Sequence, residues 1–298
     1  MRITTSQLYD RPMSLMARLT AEADSVQTQI ATQKKFIAPS GNASGYLQLQ
    51  GLKRAGADDS AYSANIVTAQ SLLSQSDATL GSVETQLQRA QELTTQAATG
   101  TLTDANRQAI AKELDSIRDE LFALANSKDT RGQPLFGSAT GSEAYAKAAD
   151  GTISFIGSGA PSPIPVSAGD AIHATVPGDQ LFGTGANDMF AVLADLSAAL
   201  KAGGDVKAAT GSALTAFTAR LSDVGAGRAS VGARSARLDL DADRLSDIAI
   251  DREAARGSIE DTDIASAMTQ LSKTLTVLQA TQASFTKLSS LSLFDYLR

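Results

Sequence analysis

The chain has 298 residues, a formal net charge of −6, no cysteine, no tryptophan and a single histidine, His173. Without cysteine there is no disulfide, thiolate nucleophile or cysteine-ligated metal, and one histidine is too few for a multi-histidine metal cluster. It also makes a histidine-based proton relay an unattractive hypothesis. We therefore expect no enzymatic activity, no metal and no cofactor.

The same composition argues against two kinds of partner. No basic run with interleaved aromatic residues is present, so nucleic acid is not an expected partner. No segment approaches the roughly 20 consecutive apolar residues of a spanning helix, so a membrane is not expected either. The stretch 1–18 lacks the apolar core of a cleaved signal peptide. With 43% hydrophobic but only 5% aromatic residues, the chain favours thin helical bundles over one thick core.

The first predicted element is a helix from about Thr5 to Phe36, which ends at the turn residues 38–42. Its apolar residues recur every seven positions, which is typical of a helix that keeps one face on a partner over a long distance. The two rows are Leu19 and Val26, and Met16, Ala23, Ile30 and Ile37.

Two further helices are predicted before residue 127. The first spans about 57–98 and carries a heptad row of Ile66, Leu73, Leu80 and Leu87. Thr103 is a suitable N-cap for the second, whose apolar residues step by three and four until it closes near Asn126.

The sequence changes character between Gly137 and Gly185. Helical periodicity is lost, four of the seven prolines fall here, and short β-favouring runs such as 152–156 appear. We interpret this part as a small insert of a few strands on turns, solvated, exposed at a tip and replaceable by a short linker. Helices are predicted again at 189–200 and at about 212–259. The second carries a heptad row of Phe217, Val224, Val231, Leu238 and Leu245.

The C-terminal stretch carries the longest apolar pattern. Ile264, Leu271, Leu278 and Phe285 form one row, Met268 and Leu275 form a second, and apolar character continues through Leu288 and Leu291. Asp261 or Asp263 precedes this run. This pair of carboxylates could suggest a metal site, but their position favours helix caps.

Apolar stripes at both ends predict that the ends pair with each other or with neighbouring subunits, since chain ends are normally the least ordered parts of a domain. We predict a mainly α protein, an elongated helical bundle or coiled-coil rod formed by both ends, with a small β-containing insert. The predicted domains are 1–40 plus 260–298, 41–137 plus 186–259, and 138–185. The predicted assembly interface consists of Leu19, Val26, Ile30, Ile264, Met268, Leu271, Leu275, Leu278, Phe285, Leu288 and Leu291.

Local motifs add a resemblance to the flagellin superfamily. The run 87–101, LQRAQELTTQAATGT, is similar to the LxRxxELxxQAxxGT signature of that family's helical rod. The same order of motifs continues with Asn106-Arg107, Leu124-Ala125-Asn126 and the run 132–137, GQPLFG. Near the other end, 259–265 (IEDTDIA) and 281–285 (TQASF) also fit.

Within the superfamily, the opening MRITTSQLY and the ending LSLFDYL resemble hook–filament junction proteins more than filament flagellins. The resemblance implies a structural role between the first hook-associated protein and the flagellin filament, in a ring of copies of this chain. It also implies an extracellular location, export through the flagellar type III apparatus, and an export chaperone bound at the C-terminal region. The alternatives are a filament flagellin and, from another class, a cytoplasmic coiled-coil scaffold or signalling module.

Overall fold

The computed structural model describes residues 5–99, 102–129, 131–137, 142–157, 162–185 and 188–294, with the side chains of 5–9 and 288–294 left out. Seven helices and four strands lie within these residues. In chain order they are α1 (Thr5–Thr32), α2 (Ala43–Ala97), α3 (Asp104–Ala125), β1 (Tyr145–Lys147), β2 (Ile153–Phe155), β3 (Ile164–Ser167), β4 (Asp170–Ile172), α4 (Gly178–Phe182), α5 (Met189–Ala202), α6 (Lys207–Glu260) and α7 (Ile264–Phe294). The predicted fold class, mainly helical with a small strand-containing insert, is confirmed.

Helix α2 begins well before the predicted residue 57. The side-chain oxygen of Asn42 accepts a hydrogen bond from the amide of Gly45 at 3.0 Å, which is the contact of an N-cap. Gly45, in the first turn of α2, also packs closely against the preceding residues: a Cβ at this position would lie only 3.0 Å from the ring of Phe36. Helix α1, by contrast, stops at Thr32, since Gln33 adopts a left-handed backbone with φ of 60°.

Helix α3 follows the prediction closely. Thr103 accepts a hydrogen bond from the amide of Asn106 at 3.3 Å and caps the helix. Its buried face consists of Ile110, Ala111, Leu114, Ile117, Leu121 and Ala125.

The described residues form two compact units. The described residues within 1–58 and 247–298 make up unit 1, and those within 59–246 make up unit 2. Unit 2 has one continuous apolar core, which includes the predicted heptad rows of α2 and α6. The fully or almost fully buried members of those rows are Ile66, Leu73, Leu80, Leu87, Phe217, Val224, Val231 and Leu238. The three predicted domain boundaries stay a prediction.

The insert is not the solvated tip that the sequence suggested. Two antiparallel hairpins, β1–β2 and β3–β4, contribute to the core of unit 2 instead of standing away from it. The ring of Tyr145 lies 5.5 Å from that of Phe182 and 5.2 Å from that of Phe190, and all three residues are buried. The burial of these rings argues against the expectation that a linker could replace this segment without loss, because aromatic side chains of this size carry much of a small core's stability.

Asn126 fixes the first hairpin to the end of α3. Its side-chain oxygen accepts hydrogen bonds from the amides of Ala144 and Tyr145, both at 2.9 Å, and its side-chain nitrogen donates to the Tyr145 carbonyl at 3.0 Å. One amide side chain thus satisfies three backbone groups at the point where the chain enters β1.

Candidate assembly interface

Helices α1 and α7 of unit 1 pack side by side and run antiparallel. The amide of Thr262, just before α7, donates to the carbonyl of Gln33, just after α1, at 2.9 Å. Farther along the pair, Gln270 Nε2 donates to Glu22 Oε1 at 3.1 Å. The N-terminal and C-terminal helices therefore find each other within one chain, which is one of the two arrangements expected from their stripes.

The covered faces of both helices follow steps of four and three residues, the pattern of a coiled-coil seam. Within the described side chains, the buried or half-buried positions of α1 are Pro12, Met16, Leu19, Ala23, Val26, Gln29 and Ile30. On α7 they are Ala267, Leu271, Thr274, Leu278, Thr281 and Phe285. We refer to these two sets as the inner seam.

The inner seam buries small side chains most deeply. Ala23 and Val26 on α1, and Ala267 and Thr274 on α7, are its members with less than a tenth of their surface exposed. Burying Ala or Thr removes far less apolar surface from water than burying Leu or Phe, so the gain in free energy is small. The α1–α7 pair is consequently a weak coiled coil by itself.

The predicted interface residues divide between this seam and an exposed face. Leu19, Val26 and Ile30 lie in the inner seam on α1, and Leu271, Leu278 and Phe285 lie in it on α7. Ile264, Met268 and Leu275 are exposed, with 59% of Met268 and 42% of Leu275 accessible to water. Leu288 and Leu291 belong to α7, but their side chains lie outside the described ones.

Ile264, Met268 and Leu275 form a second stripe, which we call the outer stripe. Helical geometry places it about 80° around α7 from the centre of the inner seam. An exposed apolar stripe beside a covered seam is the surface that another amphipathic helix can cover. The sequence predicted Met268 and Leu275 as one row but placed Ile264 in the row of Leu271, and heptad spacing could not tell which row α1 covers.

Ala267 and Thr274 were missed as interface positions. Neither is large and apolar, so a search for large hydrophobic residues passes over them. Their spacing could have identified them, because each lies three or four residues from Leu271 and therefore on the same face of the helix.

Asp263 and Asp261 have different surroundings at the start of α7. Asp263 Oδ1 accepts hydrogen bonds from the amides of Ala265 and Ser266 at 3.0 and 3.2 Å, and Oδ2 accepts one from the Ser266 hydroxyl at 2.8 Å. These bonds, chiefly the one from the Ser266 side chain, lower the pKa of Asp263. Asp261 instead directly follows the last residue of α6, and its amide donates to the carbonyl of Gly257 at 2.8 Å.

Among the described residues, no group of three or more His, Cys, Asp and Glu side chains is placed to hold a metal ion. No helix in the described part of the chain has the length and apolar character needed to cross a bilayer.

Comparison with known proteins agrees with this architecture. The bacterial flagellin N-terminal helical region matches residues 3–140, and the bacterial flagellin C-terminal helical region matches residues 214–297. Together the two regions take in α1–α3, almost all of α6, and α7. The chain belongs to the flagellin superfamily.

Within that superfamily, the chain resembles flagellar hook-associated protein 3. It is 35% identical to that protein from Salmonella typhimurium over 136 residues, which are 46% of this chain and 43% of the relative. The match thus spans less than half the length of the curated relative.

Solved structures share the fold. A putative flagellar hook-associated protein from Vibrio parahaemolyticus superposes with a TM-score of 0.69 and 22% identity, over 74% of this chain and 100% of that structure. Flagellar hook-associated protein 3 from Legionella pneumophila gives 0.65 with 14% identity, over 70% of this chain and 98% of that structure.

Proposed function

We propose that this protein is a structural component of the bacterial flagellum that joins the hook-associated protein beneath it to the flagellin filament above it. The observation that carries the proposal is the outer stripe on α7, which stays exposed although α1 already covers the inner seam. A protein that works alone gains nothing from a row of Ile, Met and Leu in water, whereas a subunit of an assembly needs such a surface.

The proposal includes particular partners. These are further copies of this chain in a ring, the first hook-associated protein, flagellin, and an export chaperone at the C-terminal region. The location is the extracellular flagellum, reached through the flagellar type III apparatus. The outer stripe supports the chaperone contact as well, because a helix with exposed anchors four and seven residues apart suits a helix-in-groove complex.

Filament flagellin is a weaker candidate, because the curated relatives are hook-associated proteins. A cytoplasmic scaffold or signalling module is weaker still, because the matched regions are those of an extracellular filament protein family.

The first test is deletion of the gene. We expect cells with bare hooks and with flagellin released into the medium, and full rescue by the wild-type gene. Normal filaments on the deletion strain, with no related gene to compensate, would contradict a junction role.

The second test addresses the outer stripe. The double variant Met268→Asp/Leu275→Asp places two charges where a neighbour would bury apolar side chains, so we expect rescue to fail while the purified chain keeps its helices. Ala280→Asp is the matched control: it is exposed on α7 but lies about 140° around the helix from the outer stripe. Equal rescue by both variants would remove the outer stripe from the interface.

A further inference from the structure

The end of the α1–α7 pair is closed by a short clamp of backbone hydrogen bonds. Beyond α1, the amide of Lys35 donates to the carbonyl of Glu260 at 2.7 Å. In the opposite direction, the amide of Thr262 donates to the carbonyl of Gln33 at 2.9 Å. These two bonds join the connector between α1 and α2 (residues 33–42) to the turn between α6 and α7 (residues 261–263). They therefore hold the end of α1 next to the start of α7.

The side chain of Glu260 lies beside this clamp and is only 6% exposed. Lys34 Nζ is 2.5 Å from Glu260 Oε1, Lys53 Nζ is 4.0 Å from the same oxygen, and Arg256 Nε is 3.9 Å from Oε2. The three cations come from three places: the connector, α2 and α6. One carboxylate therefore ties together all the segments that meet at the clamp.

The position of Glu260 makes the carboxylate depend on those cations. It is the last residue of α6, where the helix dipole disfavours a negative charge. A buried carboxylate without partners is strongly disfavoured, whereas the cations lose little when released because each keeps nearly half of its side chain in water. Within the cluster, the carboxylate of Glu260 is therefore the charged group for which water cannot take the place of its ion-pair partners.

The connector itself is held in an uncommon backbone conformation. Gln33 has a φ of 60°, in the left-handed region that residues with a side chain seldom adopt. Such a conformation persists only where surrounding contacts hold it. The connector therefore has a more relaxed alternative that becomes accessible once the contacts around Glu260 are lost.

We propose that Glu260 is an electrostatic latch, which holds the α1–α7 pair closed at the clamp while its carboxylate is charged and releases the connector when that charge is removed. The latch is a device within unit 1 of a single chain, and it stands or falls independently of the assembly role argued above.

Acid is the natural trigger. The hydrogen bond from Lys34 is the main cause that lowers the pKa of Glu260 below its ordinary value, with Lys53 and Arg256 adding to it against the effect of burial. The stabilising effect of a carboxyl with a lowered pKa is present above its unfolded pKa and is lost as the pH falls through the folded pKa.

The neighbouring charged groups do not replace that trigger. On the connector, Lys35 Nζ donates to the carbonyl of Ser258 at 2.9 Å. On α6, Glu253 pairs with Arg256 at 2.5 Å. Of the two aspartates in the turn, Asp261 directly follows α6 and Asp263 caps α7.

The latch is tested on the purified full-length chain by spin labelling. Because the sequence has no cysteine, the pair Ser25→Cys/Ala57→Cys places two labels only, on exposed positions of α1 and α2. Pulsed electron paramagnetic resonance then gives the distribution of distances between them. We expect one narrow distribution at pH 7 and, in an acid titration, a broad one only below the ordinary glutamate pKa of about 4.3, because the folded pKa is lowered.

Glu260→Gln keeps the shape of the side chain and removes its charge. In this background we expect the broad distribution already at pH 7, with little further change on acidification. We expect hydrogen exchange to be about tenfold faster in the peptides that carry the Lys35 and Thr262 amides. Glu253→Gln is the matched control, because it removes an exposed carboxylate that lies on the same helix and pairs with the same arginine. In this variant we expect the exchange rates of the Lys35 and Thr262 amides to change less than about twofold.

A narrow distribution for Glu260→Gln at pH 7 overturns the latch, and so does an equal response to acid in this variant and in the unsubstituted chain. If Glu260→Gln loses its helical circular dichroism signal, Lys34→Met provides a second test. This variant removes the nearest cation and keeps the carboxylate of Glu260. Broadening in Lys34→Met then supports the latch, and an unchanged distribution overturns it.

Discussion

Leu181 of α4 occupies the space that a side chain at Gly227 of α6 would need. A Cβ at position 227 would lie 2.7 Å from Leu181 Cδ2, closer than real Cβ contacts come. Leu181 is 1% exposed and so is confined by its neighbours. The glycine lets the insert seat its short helix on a long helix of the core, which explains why a poor helix former is placed there.

Substituting this glycine tests that packing. Gly227→Ala gains about 1 kcal/mol in helix propensity, but overpacking at a confined contact costs about 1–3 kcal/mol. We expect the variant to be no more stable than the unsubstituted chain, or less stable by up to about 2 kcal/mol, as measured by urea unfolding.

Gly225 provides the control two residues away. It is exposed in the same helix, and a Cβ there would meet nothing within 4 Å. Gly225→Ala is expected to stabilise the chain by about 0.5–1 kcal/mol. An equal gain in both variants would mean that Leu181 moves freely, and the proposed docking of α4 on α6 would be wrong.

The aromatic group of the insert gives a second prediction. Phe182 is fully buried between the rings of Phe136, Tyr145 and Phe190. Phe182→Ala should cost about 3–5 kcal/mol in the free energy of unfolding, because it leaves a cavity among rings that cannot collapse into it.

Ile156→Ala is the control for that variant, since Ile156 lies just beyond β2 and is 52% exposed. Its substitution should change stability by less than about 0.5 kcal/mol. A loss below about 1 kcal/mol for Phe182→Ala would restore the view of the insert as a dispensable tip. Thermal unfolding followed by circular dichroism is sufficient to separate the two cases.

The helices could be predicted because their apolar residues repeat over many turns. Leu80 and Leu87 of α2, and Val224 and Val231 of α6, lie in predicted rows and are buried. The first turns of α2 could not be predicted, since Gly45 and two further glycines lower helix propensity there. Tertiary packing against the preceding connector, visible only in three dimensions, outweighs that preference.

The insert escaped prediction for another reason. Its strands are three or four residues long, too short for any alternation to show which side chains are covered. Tyr145 and Val166 are buried by contacts with distant helices, and no local pattern records such contacts. The candidate interface was limited in the same way: heptad spacing identified the apolar rows of α7, but only the partner α1 decides which row is covered.

The buried hydroxyl of Tyr145 gives a third prediction. Its oxygen has no hydrogen-bond partner among the described residues, so Tyr145→Phe removes a polar group that is already desolvated. We expect this variant to be neutral or more stable by up to about 1 kcal/mol.

The pH dependence of Tyr145 follows from the same burial. Burial is the main cause that raises its pKa, with the charges of Asp188 and Asp179 adding to it. The protonated phenol is thus favoured in the folded chain, and its contribution is lost as the pH rises beyond the unfolded pKa of about 10. Tyr145→Phe should therefore unfold at a higher pH than the unsubstituted chain in an alkaline titration. A loss of more than about 1 kcal/mol in the variant would instead indicate a hydrogen bond to water at this site.

The last prediction separates the two apolar stripes of α7 by one charge in each. Leu278 lies in the inner seam and is half-buried, so Leu278→Asp should weaken the α1–α7 pair by about 1–3 kcal/mol even in an isolated chain. Met268 lies in the outer stripe, and Met268→Asp should cost the isolated chain only its helix propensity, about 0.5 kcal/mol. Hydrogen exchange of α1 in the purified monomer measures this directly, because α1 loses protection when its partner is displaced. Faster exchange in Leu278→Asp alone, with both variants failing to rescue a deletion strain, is the expected result. Faster exchange of α1 in Met268→Asp would show that the outer stripe also supports the pair within one chain, and the surface available to a neighbouring subunit would then have to lie elsewhere.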